Sequence, residues 1–214
     1  IFDIGGVLAT PKYPLKFLED IDLLEIPVHY HRHLGVHQYI ANKLRIFLDQ
    51  WFDAIDTAYS KSIEGKISER KTISIIAKNL DVSPRKLEKW VIRAYKKNFK
   101  PNKELYNAAF ELKEHGYKIA ILSDQWCLSK KALVLRKYTK KFNAVIISCD
   151  VGMRKPNPKI YKLVLRKLKT PAKEALLIDN QEWNIKPAKK IGMKTIRFEN
   201  NAQLFEEMEK LGIK

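Results

Sequence analysis

The chain has 214 residues, with 41 Lys plus Arg against 24 Asp plus Glu, a formal charge of +17 with histidines neutral. Apolar residues make up 45% and charged residues 30%, ordinary proportions that exclude a disordered or collagen-like chain. No apolar run approaches the ~18 to 20 residues of a membrane helix, no signal peptide opens the sequence, and the two cysteines, Cys127 and Cys149, are too few for a disulfide framework, so a cytoplasmic protein is expected.

In chain order, Ile1, Phe2 and Asp3 read as the tail of an apolar strand that stops at a carboxylate; a strand of ~5 residues would begin before Ile1. From there to Pro101 the period is helical. Residues 37–59, 69–79 and 84–99 each carry apolar positions at helical spacing, and Leu87, Trp90, Val91, Ala94 and Tyr95 mark one face of the last. Ser83 followed by Pro84 supplies an N-cap and a first-turn proline, and Gly65 marks a turn between helices. The pattern then changes again. Residues 117–123 (YKIAILS), 142–148 (FNAVIIS) and 175–179 (ALLID) are short Ile/Val/Leu runs that end in a polar residue, with helical patterns between them, and a fifth strand fits at 193–198. Near-continuous apolar strands alternating with helices indicate a parallel sheet covered on both faces. The expected organisation is α/β: a Rossmann-like parallel sheet from residues 1–12 and 99–214, interrupted by an α-helical insert at 13–98.

Ligands of such sheets bind beyond the carboxyl ends of the strands. Asp3, Ser123 and Asp179 each fall at such an end, and Lys155 follows the third strand in the loop SCDVGMRKPNP. Any one of them reads equally well as a helix cap. Four complementary groups in register point instead to a site.

The segments IFDIGGVL, ILSD, GMRKPNP and LLIDN resemble, in order, the four motifs of the haloacid dehalogenase-like hydrolase superfamily. The helical insert resembles that family's C1-type cap, in the subgroup of epoxide-hydrolase N-terminal-like and sugar-phosphate phosphatases. The resemblance implies a Mg²⁺-dependent phosphomonoester hydrolase acting on a small phosphorylated metabolite. Asp3 would be the nucleophile, forming an aspartyl phosphate; a carboxylate suits this because it is anionic at neutral pH without a base. Ser123 and Lys155 would complete the catalytic set and, with Asp124 and Trp126, contact the substrate. Asp3, the Gly5 carbonyl and Asp179 would hold Mg²⁺, a hard cation that takes oxygen ligands. Hydrolytic members usually carry a second Asp two residues after the nucleophile, as the general acid and base. Here that position is Gly5, and a frequent second acid of the fourth motif is Asn180. The alternative reading is therefore a catalytically weak protein of this fold that binds a phosphorylated ligand or partner, and a third is a nucleic-acid-binding protein that uses the basic surface.

Other features have bland readings beside functional ones. His29, His33 and His37 would share one helical face, which suits a metal, pocket lining or a partly solvated helix start. Trp126 and Cys127 face either the pocket or the insert; Cys149 reads as a small buried residue and Asp150 as a brace for the Lys155 loop. Of the 41 cations 32 are Lys, spread along most helices, so the surface is expected to attract anions generally, without sequence-specific nucleic-acid recognition. A membrane partner is not expected, and the chain would be a monomer or a homodimer.

Overall fold

A computed structural model of the protein describes residues 1–12 and 34–213. Strand β1 (Ala9–Pro11) leads out of the core; helices α1 (Leu34–Leu44), α2 (Leu48–Ile63), α3 (Glu69–Asn79) and α4 (Pro84–Asn98) form the insert, and β2 (Phe99–Pro101) leads back. β1 and β2 pair antiparallel, Thr10 opposite Lys100, and so fasten the two crossings to each other. Proline in both strands concealed this pair at the level of sequence. The core continues with α5 (Lys103–Glu114), β3 (Ala120–Ser123), α6 (Cys127–Leu133), α7 (Arg136–Thr139), β4 (Ala144–Ile147), α8 (Ser148–Val151), α9 (Pro158–Leu168), β5 (Leu176–Asp179), α10 (Glu182–Lys190), β6 (Lys194–Arg197) and α11 (Asn201–Lys210).

β3 pairs with β4 and β5 with β6, both parallel, and Phe2 bridges the two pairs through parallel contacts to Ile121 and Ile178. Phe2 N donates to the Ala120 carbonyl and Asp3 N to that of Ile178, so the first three residues are the central strand of a five-stranded order β4-β3-(1–3)-β5-β6. Side chains alternate across it as the period of two requires. Ile1, Ala120, Leu122, Ile146 and Leu177 face one cluster with Ile160, Val164 and Ala188 of α9 and α10. Phe2, Ile121, Ile147, Ile178 and Ile196 face the other, with Leu105 and Ala109 of α5 and Leu204 of α11. The α/β sheet with helices on both faces is thus observed.

The helical pattern at 37–59 resolves into two helices rather than one. Arg45 adopts φ +61 and the Ile46 N–H returns to the Ala41 carbonyl, a left-handed cap that ends α1. Ile46 and Leu48 keep the apolar spacing through the break, and no Gly or Pro announces it. The cap at Ser83 forms as expected, accepting from Lys86 N, and Ser68 caps α3 in the same way by accepting from Lys71 N. His29 and His33 lie outside the described residues. His37 is buried in α1, where its Nδ1 accepts from Trp51 Nε1, which is a packing role.

Candidate active site

The first turn after the central strand is built by glycine. Gly6 takes φ +87, and a Cβ there would lie 1.8 Å from the Asn180 amide, so only glycine lets the loop from Asp3 pass beneath the loop after β5. Gly5 differs: its φ is not left-handed and nothing lies within 4 Å of an added Cβ. The turn closes through Ala9 N to the Ile4 carbonyl and Gly6 N to the Ala9 carbonyl.

Lys155, placed between α8 and α9, is 3% exposed and satisfies all three ammonium protons. It donates to the Leu122 carbonyl at 3.2 Å and to Asp179 Oδ2 at 2.5 Å, and pairs with Asp3 Oδ1 at 3.1 Å. Burial alone would push this ammonium down, but Asp179, Asp3 and Asp124 together hold it above the ordinary lysine value. Its backbone N–H donates to Asp124 Oδ1 at 3.1 Å, so Asp124 anchors the loop that delivers the ammonium. Desolvation pushes the Asp124 carboxyl up to about 6, with Lys155 opposing and the neighbouring Asp3 and Asp179 charges adding to the rise.

Asp179 is fully buried and accepts from Gln181 N at 2.8 Å and from Asn184 Nδ2 at 3.1 Å to each oxygen, besides Lys155. Burial pushes its carboxyl up and the Asp3 charge adds to the rise; Lys155 and the Gln181 N–H work against it. Ser123 Oγ accepts from Gln125 Nε2 at 3.0 Å and Ile4 N at 3.4 Å. With both lone pairs engaged, its own proton points elsewhere and has no acceptor among the described residues. Gln125 is fixed by Ser148, whose Oγ accepts from Gln125 N and donates to the Gln125 carbonyl.

Asp3, Asp124 and Asp179 against Lys155 leave two uncompensated negative charges in a buried site when all are ionised. The second oxygen of Asp3 has no partner among the described residues, and Asn184 Oδ1 is buried without one beside Asp179. Hard oxygen donors with an excess of two negative charges fit a divalent cation such as Mg²⁺. No group of three His, Cys, Asp or Glu among the described residues is arranged to hold a metal, so neutral oxygens must complete the set.

The structure therefore brings Asp3, Ser123, Asp124, Lys155 and Asp179 together. Trp126 has its indole N–H on the Tyr95 hydroxyl at 3.0 Å and its ring against Tyr59, and is 1% exposed; it packs core against insert, the second of the two roles its sequence position allowed. Asp150 is exposed and bonds Lys130 of α6 at 2.6 Å instead of bracing the Lys155 loop, because its side chain points across the α8 turn toward α6. Cys127 and Cys149 are free and half-buried in the seam between insert and core, where Cys127 N donates to Ser62 Oγ and the Cys149 carbonyl would lie 2.5 Å from a Cβ on Gly65. Sequence reasoning missed Gln125, Ser148 and Asn184, which orient the site, and the pair Glu64–Arg154 at 3.5 Å, which joins insert to core beside Lys155. Tyr59 of α2, pushed up to about 12 by burial, lies in the field of Arg154 and Asp124.

The family model described as haloacid dehalogenase-like hydrolase matches residues 38–198. Bifunctional epoxide hydrolase 2 of Mus musculus is 28% identical over 98% of this chain, which spans 38% of that relative's length. Glyceraldehyde 3-phosphate phosphatase of Pyrococcus abyssi is 37% identical over 41% of this chain and 37% of its own. A haloacid dehalogenase family enzyme from Bacteroides thetaiotaomicron, solved with magnesium and inorganic phosphate, superposes with a TM-score of 0.70 at 19% identity, covering 95% of this chain and 96% of that one. This chain belongs to the haloacid dehalogenase-like hydrolase family.

Proposed function

We propose that this hydrolase is a Mg²⁺-dependent phosphatase for a small phosphorylated metabolite, with Asp3 as its nucleophile. The observation that carries this reading is the buried Asp3–Lys155–Asp179 cluster, with Ser123 beside it, at the carboxyl ends of adjacent parallel strands. The similarity to a glyceraldehyde 3-phosphate phosphatase supports the choice of substrate class.

Lys155 grips Asp3 Oδ1 and leaves Oδ2 to attack phosphorus. As that O–P bond forms, the bond to the leaving oxygen breaks, and the leaving oxygen takes a proton from solvent because Gly5 offers no side chain. Ser123 donates its remaining proton to a phosphoryl oxygen, a direction imposed by the two bonds it already accepts. Lys155 balances charge on the nucleophile and then on the phosphoryl group. Water next attacks phosphorus and passes a proton to solvent as the Asp3 Oδ2–P bond breaks, releasing phosphate and restoring the Asp3 carboxylate. Asp3, the Gly5 carbonyl and Asp179 would hold Mg²⁺, which supplies Lewis-acid stabilisation of phosphoryl charge. Asp179 must yield one of its four contacts to do so.

Phosphate release from an aryl phosphate and a panel of phosphorylated metabolites, with and without Mg²⁺, tests the proposal. Turnover should require Mg²⁺ and vanish in Asp3→Asn; an Asp3→Asn variant that retains turnover defeats it. Gly5 and Asn180 favour one second reading, a weakly catalytic protein that binds phosphorylated ligands. Tight Mg²⁺-dependent ligand binding with no phosphate release would select that reading.

A further inference from the structure

Helix α4 buries Leu87, Val91, Ala94 and Tyr95 against the rest of the protein. Trp90 packs against the same cluster, as its apolar spacing requires, but is only partly buried. At 3.6 residues per turn, Lys86, Lys89, Trp90, Arg93 and Lys97 fall within about 100° of arc flanking the buried face, as a stripe ~16 Å long with Trp90 at the margin of the buried side. Lys43 of α1 reaches the same place. Its Nζ lies 5.6 Å from the Trp90 ring centroid and 5.7 Å from that of Tyr39. Lys89 and Arg93 stand 5.6 and 5.4 Å from the Trp90 ring, and Lys97 stands 5.0 Å from the Tyr39 ring. The two half-buried rings meet edge to face at 6.5 Å.

Four exposed cations thus surround two aromatic rings, Lys86 extends their stripe along α4, and none of the five has a counterion among the described residues. Glu88, the one acid in α4, is taken by Lys131 of α6, and α1 contains no acid. A few lysines have carboxylate partners, Lys130 with Asp150, Lys66 with Glu64 and Lys210 with Glu206, while most stand singly on the surface. A lone solvated lysine needs no explanation, but five converging like charges repel one another and favour a polyanion as the group that relieves them.

We propose that this face binds single-stranded nucleic acid through its phosphate backbone, independently of sequence. Cations along a groove or stripe with interleaved rings for base stacking are the usual elements of such binding. A duplex, whose bases are already stacked, would leave Trp90 and Tyr39 unused. A membrane surface would need an apolar face to insert, and that of α4 is buried within the protein. Four of the five cations are Lys, point charges suited to phosphate rather than to reading base edges. The surface lies on the insert and its assignment does not depend on the phosphatase reading.

The test is fluorescence anisotropy of labelled 20-mer oligo(U) with the full chain, titrated with salt. Single-strand binding loses ~0.7 in the slope of log K against log salt per phosphate contact, so neutralising two cations should flatten the slope by ~1.4. Lys89→Gln/Arg93→Gln should show that change, while Lys186→Gln/Lys190→Gln on α10 should leave the slope unaltered. Trp90→Leu, with folding checked by thermal unfolding, should weaken oligo(U) by at least ~5-fold, the lower end of a base-stacking contribution, and leave a duplex of the same length unaffected. The proposal is overturned if both double variants flatten the slope equally, if duplex binds as tightly as oligo(U), or if polyglutamate or anionic vesicles displace oligo(U) at equal charge.

Discussion

Gly5→Asp and Gly6→Ala are neighbouring changes in one loop with opposite predicted outcomes. At Gly5 an added Cβ meets nothing within 4 Å and φ is not left-handed, so the fold resists Asp neither sterically nor conformationally. Removing a glycine from a compatible backbone should instead stabilise by ~0.4 to 1 kcal/mol through the unfolded chain. The new carboxyl group stands two residues beyond the nucleophile, where the leaving oxygen and then the attacking water need a proton carrier. General acid–base catalysis contributes ~10² to 10⁴, and imperfect placement discounts this to an expected rise of at least ~10-fold in kcat, ~1.4 kcal/mol of barrier. At Gly6 the same loop runs at φ +87 with the Asn180 amide 1.8 Å from an added Cβ. Alanine there loses ~1 to 2 kcal/mol from the left-handed backbone alone and displaces Asn180 as well. Steady-state phosphate release and thermal unfolding on both variants measure these effects. A Gly5→Asp protein that melts at or above the wild type but gains no activity on any phosphorylated substrate would refute the reasoning and favour a binding protein.

Three further outcomes follow from the site. Asp124 is pushed from 3.8 up to about 6, so the folded state holds its proton more tightly than the unfolded chain; stability from this group is complete below pH ~4 and lost as pH rises through ~6. At 1.36 kcal/mol per pH unit this is on the order of 3 kcal/mol, so Asp124→Asn in metal-free buffer should gain stability at pH 8 relative to wild type and gain none near pH 4, read by denaturant melts. Lys155→Met leaves Asp3 and Asp179 facing each other unpaired and should destabilise by ~3 to 5 kcal/mol, with Mg²⁺ recovering part of the loss in thermal unfolding. By calorimetry, wild type should bind Mg²⁺ weakly alone and more tightly with a phosphate analogue, and Asp179→Ala should abolish that tightening; unchanged affinity in Asp179→Ala would remove Asp179 from the metal site.

Four of the five sheet strands were legible because each is a short apolar run that stops at a polar residue, and the sheet sets those stops at one edge; β6, with a single buried Ile196, followed from the alternation of strands and helices. The helices of the insert were legible by period, but the break at Arg45 was not, since its left-handed turn is held by the Ala41 carbonyl and carries no glycine. Motif order brought Asp3, Ser123, Lys155 and Asp179 to notice. Two groups that aim them were hidden: Gln125 on Ser123 and Asn184 on Asp179 are ordinary polar residues whose partners only folding supplies, whereas Asp124, visible in the second motif, holds the Lys155 backbone. Trp90 packs at the margin of the apolar face that its spacing marks, and only folding gathers around it the cations contributed partly by α1.

On the proposed mechanism, Asp3 carries the phosphoryl group during turnover. Mixing the protein with Mg²⁺ and an aryl phosphate, quenching in acid within the first turnover, and weighing the peptide that contains Asp3 tests it most directly. The peptide should gain the mass of one phosphoryl group on Asp3, most strongly where Gly5 leaves the second step without a base, and Asp3→Asn should show no gain. Phosphate released at full rate with no phosphorylated Asp3 at any quench time would contradict the account.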